Sequence, residues 1–380
     1  MAWKEVDVMT LRQEFVSLSL QDGANRRQLC ERFGISPKTG YKWLERYREQ
    51  GVSGLVDHSR RPLHSPTRAR ESIEAEVVAL RDRHPSWGGR KLNRRLLDLG
   101  RQDVPTPSTI TRILHRHDLI TPAASERNTH WQRFEHEQAN DLWQMDFKGY
   151  FETGQATCHP LTVLDDHSRY NLVLHACQRP NREHVQQALT TTFRRYGLPR
   201  CINVDNGAPW GSPSKHEHGV TGLTIWLMQL GIWISHSRPN HPQTNGKEER
   251  FHRTLKQDVI SGQYYDSLSQ AQQAFDRWRH VYNHERPHEA IALATPVTRY
   301  QPSHRRYPEH LPPVEYASDD IVLSVGWDGK VKYDGYQFRV SNALRTYKIA
   351  LRPNDQRDGL FDVFFAQQRI GEVDLYQLKR

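Results

Sequence analysis

His241–Lys256 reads HPQTNGKEERFHRTLK, and how this stretch folds decides what the rest of the chain must supply. Its first half is a loop, because Pro242, Asn245 and Gly246, following Pro239 and Asn240, are turn and breaker residues. Beyond Gly246, Phe251, Leu255 and Val259 recur every four positions and give a helix one apolar face. Glu248 lines up with that face. Glu249 stands two residues before Phe251, about 200° round the helix, on the side of Arg253 and Lys256. A carboxylate among cations, at a helix start beside a loop, suits metal-dependent phosphoryl transfer if partner carboxylates come from other elements.

Two aspartates meet that need. From Asn140 the pattern alternates: Leu142–Lys148 (LWQMDFK) puts Trp143, Met145 and Phe147 on one side of a strand and Gln144, Asp146 and Lys148 on the other. Arg200–Val204 is a short strand running into Asp205-Asn206-Gly207. A two-metal site requires hard oxygen ligands converging from different elements, with the ions about 3.5–4 Å apart. Asp146, Asp205 and Glu249 are the candidates. Asp146 and Asp205 also have plainer readings, as a solvated strand face and a good Asp-Asn-Gly turn. Asp165 and Asp166, in the DDHSR turn, are weaker alternative ligands.

The 380 residues exceed one ordinary domain and predict two to four. Lys+Arg total 53 against 44 Asp+Glu, a net charge of +9, and 21 histidines add latent charge, which favours a polyanionic partner. A hydrophobic fraction of 36% with ten tryptophans excludes general disorder. MAWKEVDVMT has no apolar run and is no signal peptide, and Leu223–Ile234 is too short and interrupted to span a bilayer. Cys30, Cys158, Cys177 and Cys201 form no CxxC pair. These features predict a soluble intracellular protein with reduced thiols, no membrane and no zinc site.

The chain begins with three expected helices: Leu11–Leu20, Asn25–Phe33 and Pro37–Gln50. Ser36 caps the third and Pro37 opens it. With the Gly34-Ile35-Ser36 turn this is a helix-turn-helix, whose last helix offers Lys38, Thr39, Tyr41, Lys42 and Arg46 to DNA. Tyr41, Leu44 and Tyr47 are assigned to its core side. Arg60 and Arg61 lie in an aperiodic linker able to follow a phosphate backbone. Helices over Ser72–His84, Gly89–Leu99 and Thr109–His117, the last capped by Ser108, repeat the arrangement. Strands and helices then mix up to Leu268–Tyr282, followed by a Pro-rich connection over Gln301–Pro313 and short strands with Asp-Gly turns. The expected domains are 1–58 (helix-turn-helix), 59–69 (basic linker), 70–122 (second helix-turn-helix, winged-helix-like), 123–300 (mixed-sheet α/β core), 301–313 (linker) and 314–380 (small β-barrel).

LWQMDFKG, LTVLDDHSRY, GLPRCINVDNGAPW, HPQTNGKEERFHRTLK and YNHERPHEAIALATPVTRY, in this order, resemble the integrase-core DDE transposases of bacterial insertion sequences. The resemblance spans roughly Asn140 to Pro302, and the paired helix-turn-helix units before it look like that family's N-terminal arrangement. It implies the ribonuclease-H-like fold shared with retroviral integrases. Asp146, Asp205 and Glu249 would carry two Mg²⁺ ions, with Mn²⁺ as a substitute and no organic cofactor. Asn245, Lys247, Arg250, Arg253 and Lys256 would contact phosphates at the element's end.

The implied activity is DNA transposition. Terminal inverted repeats are bound, the end is hydrolysed to a 3′-OH, and that hydroxyl attacks target DNA. The resemblance also implies a homo-oligomer on paired ends in the bacterial cytoplasm, associated with the nucleoid. The alternative is a catalytically inactive DNA-binding regulator derived from such an enzyme; a nuclease without transfer activity is a third reading. The sequence departs from the pattern twice. The Asp205-to-Glu249 interval is long, with the polar Gly211–Gly222 stretch able to loop out, and Glu248 stands where relatives carry an apolar residue.

Overall fold

A computed structural model describes residues 7–57, 69–120, 135–211, 220–236, 246–355 and 357–378. The chain divides into two compact units, Met1–Arg68 and Ala69–Arg380.

The first unit is α1 (Val8–Ser19), α2 (Arg26–Arg32) and α3 (Pro37–Gln50). Ser36 caps α3 by accepting from the Thr39 amide, and Pro37 occupies the first turn, where its missing N–H costs nothing. Phe15, Val16, Cys30, Trp43, Leu44 and Leu55 form the core. Gly40 explains itself: a Cβ there would lie 2.6 Å from Cys30 Sγ and 2.8 Å from Phe15 Cζ, so only glycine lets α3 approach this closely. The core side of α3 is therefore Gly40, Trp43 and Leu44, which corrects the placing of Tyr41. Tyr41 is 57% exposed, beside the exposed Lys38 and Lys42.

The second unit opens with α4 (Glu71–Arg83), α5 (Gly89–Asp98) and α6 (Pro107–Arg116) around Val77, Leu80, Trp87, Leu92, Leu96, Ile110, Ile113 and Leu114. The cap of α6 is Thr106, not Ser108. Pro107 takes the first helical position, so the capping oxygen must come from the residue before it.

The central sheet holds β1 (Leu142–Phe147), β2 (Phe151–Glu152), β3 (Thr157–Asp165), β4 (Asn171–Cys177), β5 (Cys201–Val204) and β6 (Trp233–His236). β3 pairs antiparallel with β1, β2 and β4, while β1–β5 and β5–β6 are parallel. Helices α7 (Arg182–Tyr196) and α8 (Gly222–Gln229) cover the face bearing Trp143, Met145, Leu161 and Val163. On the opposite face, α9 (Gly246–Leu255) and α10 (Leu268–His284) pack Phe251, Leu255 and Phe275 onto Leu164 and Leu174. One π-helical turn, Lys256–Ile260, extends α9. The result is the mixed α/β layer expected from the alternating pattern.

The Pro-rich connection is tied down. Arg305 donates to the carbonyls of Pro199 (2.5 Å), Leu230 (3.0 Å) and Gly231 (2.8 Å), and the Ser303 amide donates to Tyr196 O (2.8 Å).

The expected C-terminal barrel does not close. β7 (Ile321–Ser324), β10 (Lys348–Pro353), β11 (Leu360–Phe365) and β12 (Gln368–Asp374) form an open four-stranded antiparallel sheet, and β8 (Lys330–Tyr333) pairs β9 (Tyr336–Arg339) in a separate hairpin. Closure is one way to bury an apolar sheet face. Here the core does it instead: Val331, Phe338, Leu344, Ile349, Leu351 and Phe365 share one hydrophobic cluster with Trp226 and Leu230. The Gln368 side chain pairs with both the amide (2.9 Å) and the carbonyl (2.8 Å) of Ile234 on β6.

Candidate active site

Because β1 and β5 are parallel neighbours, Asp146 near the end of β1 and Asp205 just past the end of β5 emerge at the same edge of the sheet. That edge, outside the carboxyl ends of parallel strands, is where open α/β sheets place ligands. Asp146 Oδ1 accepts from the Phe147 amide at 2.8 Å. Asp205 Oδ1 accepts from the Gly207 amide at 2.9 Å, an Asx turn, and from the Trp210 indole N–H. The Trp210 ring stacks on Phe147 at 5.4 Å, which ties the two aspartates' neighbours together. Trp210 is a fully buried positioning group in the DNGAPW motif that sequence reasoning did not single out.

The Asp146 carboxyl is pushed up to about 6, first by burial and then by the Asp205 charge, with the Phe147 amide opposing. The Asp146 and Asp205 carboxylates lie close enough to repel one another, with Lys148 acting against that repulsion.

The first turn of α9 lies across this edge. The structure brings Glu248, not Glu249, against Asp146. Glu248 is 2% exposed and its Oε2 lies 3.1 Å from Thr162 Oγ1 and 3.4 Å from His252 Nε2. Thr162 is the β3 residue registered opposite Asp146, and His252 Nδ1 stands 3.9 Å from Asp146 Oδ2. Burial, then Asp146, raises the Glu248 carboxyl well above the usual range, and burial with Lys148 depresses the His252 imidazole to about 3, so the ring is neutral. Glu248 Oε1 has no hydrogen-bond partner among the described residues. Glu249, one residue round, is exposed. The helix phase read from Phe251 and Leu255 places both glutamates on the sides observed. What periodicity does not carry is that the face packed on the sheet also reaches Asp146. Among the described residues no three His, Cys, Asp or Glu side chains are gathered closely enough to hold a metal ion.

Matches to known families follow the same order along the chain. A helix-turn-helix domain matches residues 11–62, a homeodomain-like domain 39–114, an integrase core domain 136–242 and again 230–296, and the C-terminal domain of the IS481 family transposases 320–379. Integrase core domains followed by an IS481-type C-terminal domain, together with similarity to insertion-element proteins, support a DDE transposase of the integrase superfamily.

Among similar proteins, the insertion element IS476 uncharacterized 39.2 kDa protein of Xanthomonas euvesicatoria is 25% identical over 65% of this chain and 69% of its own. The IS407 uncharacterized 31.7 kDa protein of Burkholderia multivorans is 24% identical over 68% and 91%, and the transposase for transposon Tn552 of Staphylococcus aureus 24% over 86% and 75%.

The expected DNA contacts fall into three groups. Lys38, Tyr41 and Lys42 are exposed on α3, with Thr39 and Arg46 half-buried beside them, and Arg250, Arg253 and Lys256 are exposed along α9. Lys247 instead forms an ion pair with Asp166, which also accepts from Gln144 Nε2 at 2.8 Å and the His136 amide at 2.9 Å. Arg60, Arg61 and Asn245 lie outside the described residues. Asp165 is committed to structure, accepting from the Asn140 amide (2.7 Å), the Ser168 amide (2.8 Å) and the Ser168 hydroxyl (2.5 Å). No described helix is long and apolar enough to cross a membrane.

Proposed function

We propose that the chain is an insertion-sequence transposase: its helix-turn-helix units bind terminal inverted repeats, and Asp146, Asp205 and Glu249 hold two divalent ions for end cleavage and strand transfer. The observation that carries this is the pair of aspartates at neighbouring parallel strand ends. The Asp146 carboxyl is pushed up to about 6 by burial and by Asp205. Crowded carboxylates of this kind fit a cation, because a bound positive charge relieves their repulsion. The donor set, hard carboxylate oxygens with open positions, suits Mg²⁺ or Mn²⁺.

Bound, such ions would activate the attacking oxygen and stabilise the leaving oxygen of an in-line displacement at phosphorus. The chain's own residues do the positioning. Trp210 and the Gly207 amide hold one oxygen of Asp205, and the Phe147 amide holds one oxygen of Asp146, so that one oxygen of each acid remains for a ligand. Glu249 stands on the solvent side of the α9 first turn, where a DNA strand and ions have access, next to Arg250 and Arg253, which suit the phosphates on either side of the cut. Glu248, whose carboxyl burial raises well above the usual range, braces α9 against Thr162 and His252. Paired ends call for at least two copies of the chain.

A Mg²⁺ strand-transfer assay on duplexes carrying the element's ends tests the reading. Asp146→Asn and Asp205→Asn should each lose joined product by at least a hundredfold while end binding persists. Binding without any Mg²⁺- or Mn²⁺-dependent cleavage by the wild type would mark an inactive regulator instead; cut ends without joined product would mark a nuclease.

A second reading of the third ligand rests on Glu248 standing against Asp146. Glu249→Gln abolishing transfer with Glu248→Gln active supports Glu249, and the reverse assigns Glu248.

A further inference from the structure

Between the second helical unit and the α9–α10 layer lies a cleft of about 780 Å³, separate from the aspartate pair. Lys91, Arg250, Arg286 and Arg90 project into it. Most cations on its walls have acidic partners: Arg286 with Asp258 (3.4 Å), Arg90 with Glu289 (3.9 Å), Arg169 with Glu135 (3.1 Å) and Lys247 with Asp166. Lys91 and Arg250 have no ion pair among the described residues. Burial and the neighbouring Arg286 depress the Lys91 ammonium to about 8, with Glu289 and Asp258 opposing and Arg250 adding to the depression. A desolvated lysine facing other cations is costly alone and favourable once an anion sits between them.

The backbone points the same way. The N-terminus of α5 opens on the cleft at Gly88 and Gly89, and its cap residue, Gly88, provides no side-chain hydrogen bond. The N-terminus of α6 reaches the same wall through Pro107 and Ser108. The amides at the start of α5 and the Ser108 amide of α6, where Pro107 has no N–H and Thr106 takes the Thr109 amide, therefore add partial positive charge to the wall that carries Lys91 and Arg250. The walls are held in register by Arg95–Glu285 (2.5 Å) across the two layers, so the cleft does not depend on a ligand to form.

We propose that this cleft holds the phosphodiester backbone of the DNA that the second helical unit delivers to α9, with Lys91 and Arg250 as its principal phosphate contacts. This rests on the DNA-processing reading above and adds the path by which the duplex passes from the second helical unit to the site. The cleft reads charge and spacing and not bases.

The test is DNA binding by the full chain, followed by fluorescence anisotropy with an end-sequence duplex across salt and pH, with inorganic phosphate as competitor. Lys91→Ala should weaken binding several-fold and flatten the plot of log affinity against log salt by about one ion. Wild-type affinity should fall as pH rises through about 8 and above, where free Lys91 loses the proton that bound phosphate retains; Lys91→Arg should bind like wild type at pH 7 and lose that decline. Ser108→Glu places a negative charge at the start of α6, which favours the helix while repelling phosphate, so weaker binding with an unchanged or higher melting temperature excludes misfolding.

Unchanged salt slope in Lys91→Ala and Ser108→Glu, with wild-type DNA binding intact, overturns the cleft and leaves the transposase reading standing. Wild-type protein that binds no DNA overturns both. Displacement of DNA by millimolar inorganic phosphate, with no duplex-length dependence, would mark the cleft as a free-anion site and overturn it as a DNA path.

Discussion

At the scale of single residues, the acids of the candidate site differ because burial treats them differently. Asp146 keeps its proton to about pH 6 in the folded chain, whereas an unfolded aspartate releases it near 3.8. Stability contributed by the protonated form is therefore lost as pH rises from about 4 to about 6. In EDTA, Asp146→Asn should melt above wild type at pH 7.5, with the gap closing by pH 4. One pKa unit is worth about 1.4 kcal/mol, and discounting for the partly exposed carboxylate leaves about 1–2 kcal/mol. Saturating Mg²⁺ should raise the wild-type melting temperature and leave that variant's unmoved; equal shifts in both would count against Asp146 as a ligand. That Asp146 lies in a strand and Asp205 just past another was legible in the sequence because strand alternation and a turn motif are local. That Glu248 meets Asp146 was not, since helix phase gives the side a glutamate takes but not its neighbour there, and Asp146 is about a hundred residues away.

At the scale of elements, close approach sets the constraints. Gly89 begins α5 where a Cβ would sit 2.4 Å from both Pro107 O and Thr111 Oγ1 on α6. The carbonyl is backbone and cannot rotate aside, so Gly89→Ala must part the two helices. The expected cost is about 1–3 kcal/mol by overpacking, read as a lower melting temperature of the Ala69–Arg380 unit. DNA affinity should fall with it, because the same two helix starts line the cleft; a variant as stable as wild type would refute the close packing. Helix positions were largely readable from periodicity and caps: Ser36 caps α3 as its sequence position indicates. Thr106 displaced Ser108 because the proline at the helix start moves the boundary, and Trp43 displaced Tyr41 because packing around Gly40 turns α3 by one position.

For the whole molecule, the C-terminal sheet is a wall of the central α/β core. Val331, Phe338 and Phe365 bury against the same cluster as Trp226 and Leu230, each buried side chain of this size contributing about 1.5–3 kcal/mol. A chain ending at Pro313 should therefore expose the α8 side of the core, bind hydrophobic dye and melt well below the full chain. A truncated core that melts like the full chain would indicate an independent C-terminal domain. Gln368→Ala, which removes both hydrogen bonds to Ile234 on β6, should cost about 1–2 kcal/mol.

The sequence by itself determined the order of the parts: basic helical units, a mixed sheet with two aspartates at strand ends, a cation-flanked helix, and short strands after a proline-rich segment. These follow from patterns a few residues long, namely period 2, period 3.6, caps and turns. Only the tertiary structure decided which glutamate of HPQTNGKEERFHRTLK meets Asp146, that the last strands lie open on the core, and that Lys91 shares a cleft with Arg250. Each of these depends on elements far apart in the chain being desolvated against one another, and local periodicity contains no information about which distant surface a face will meet.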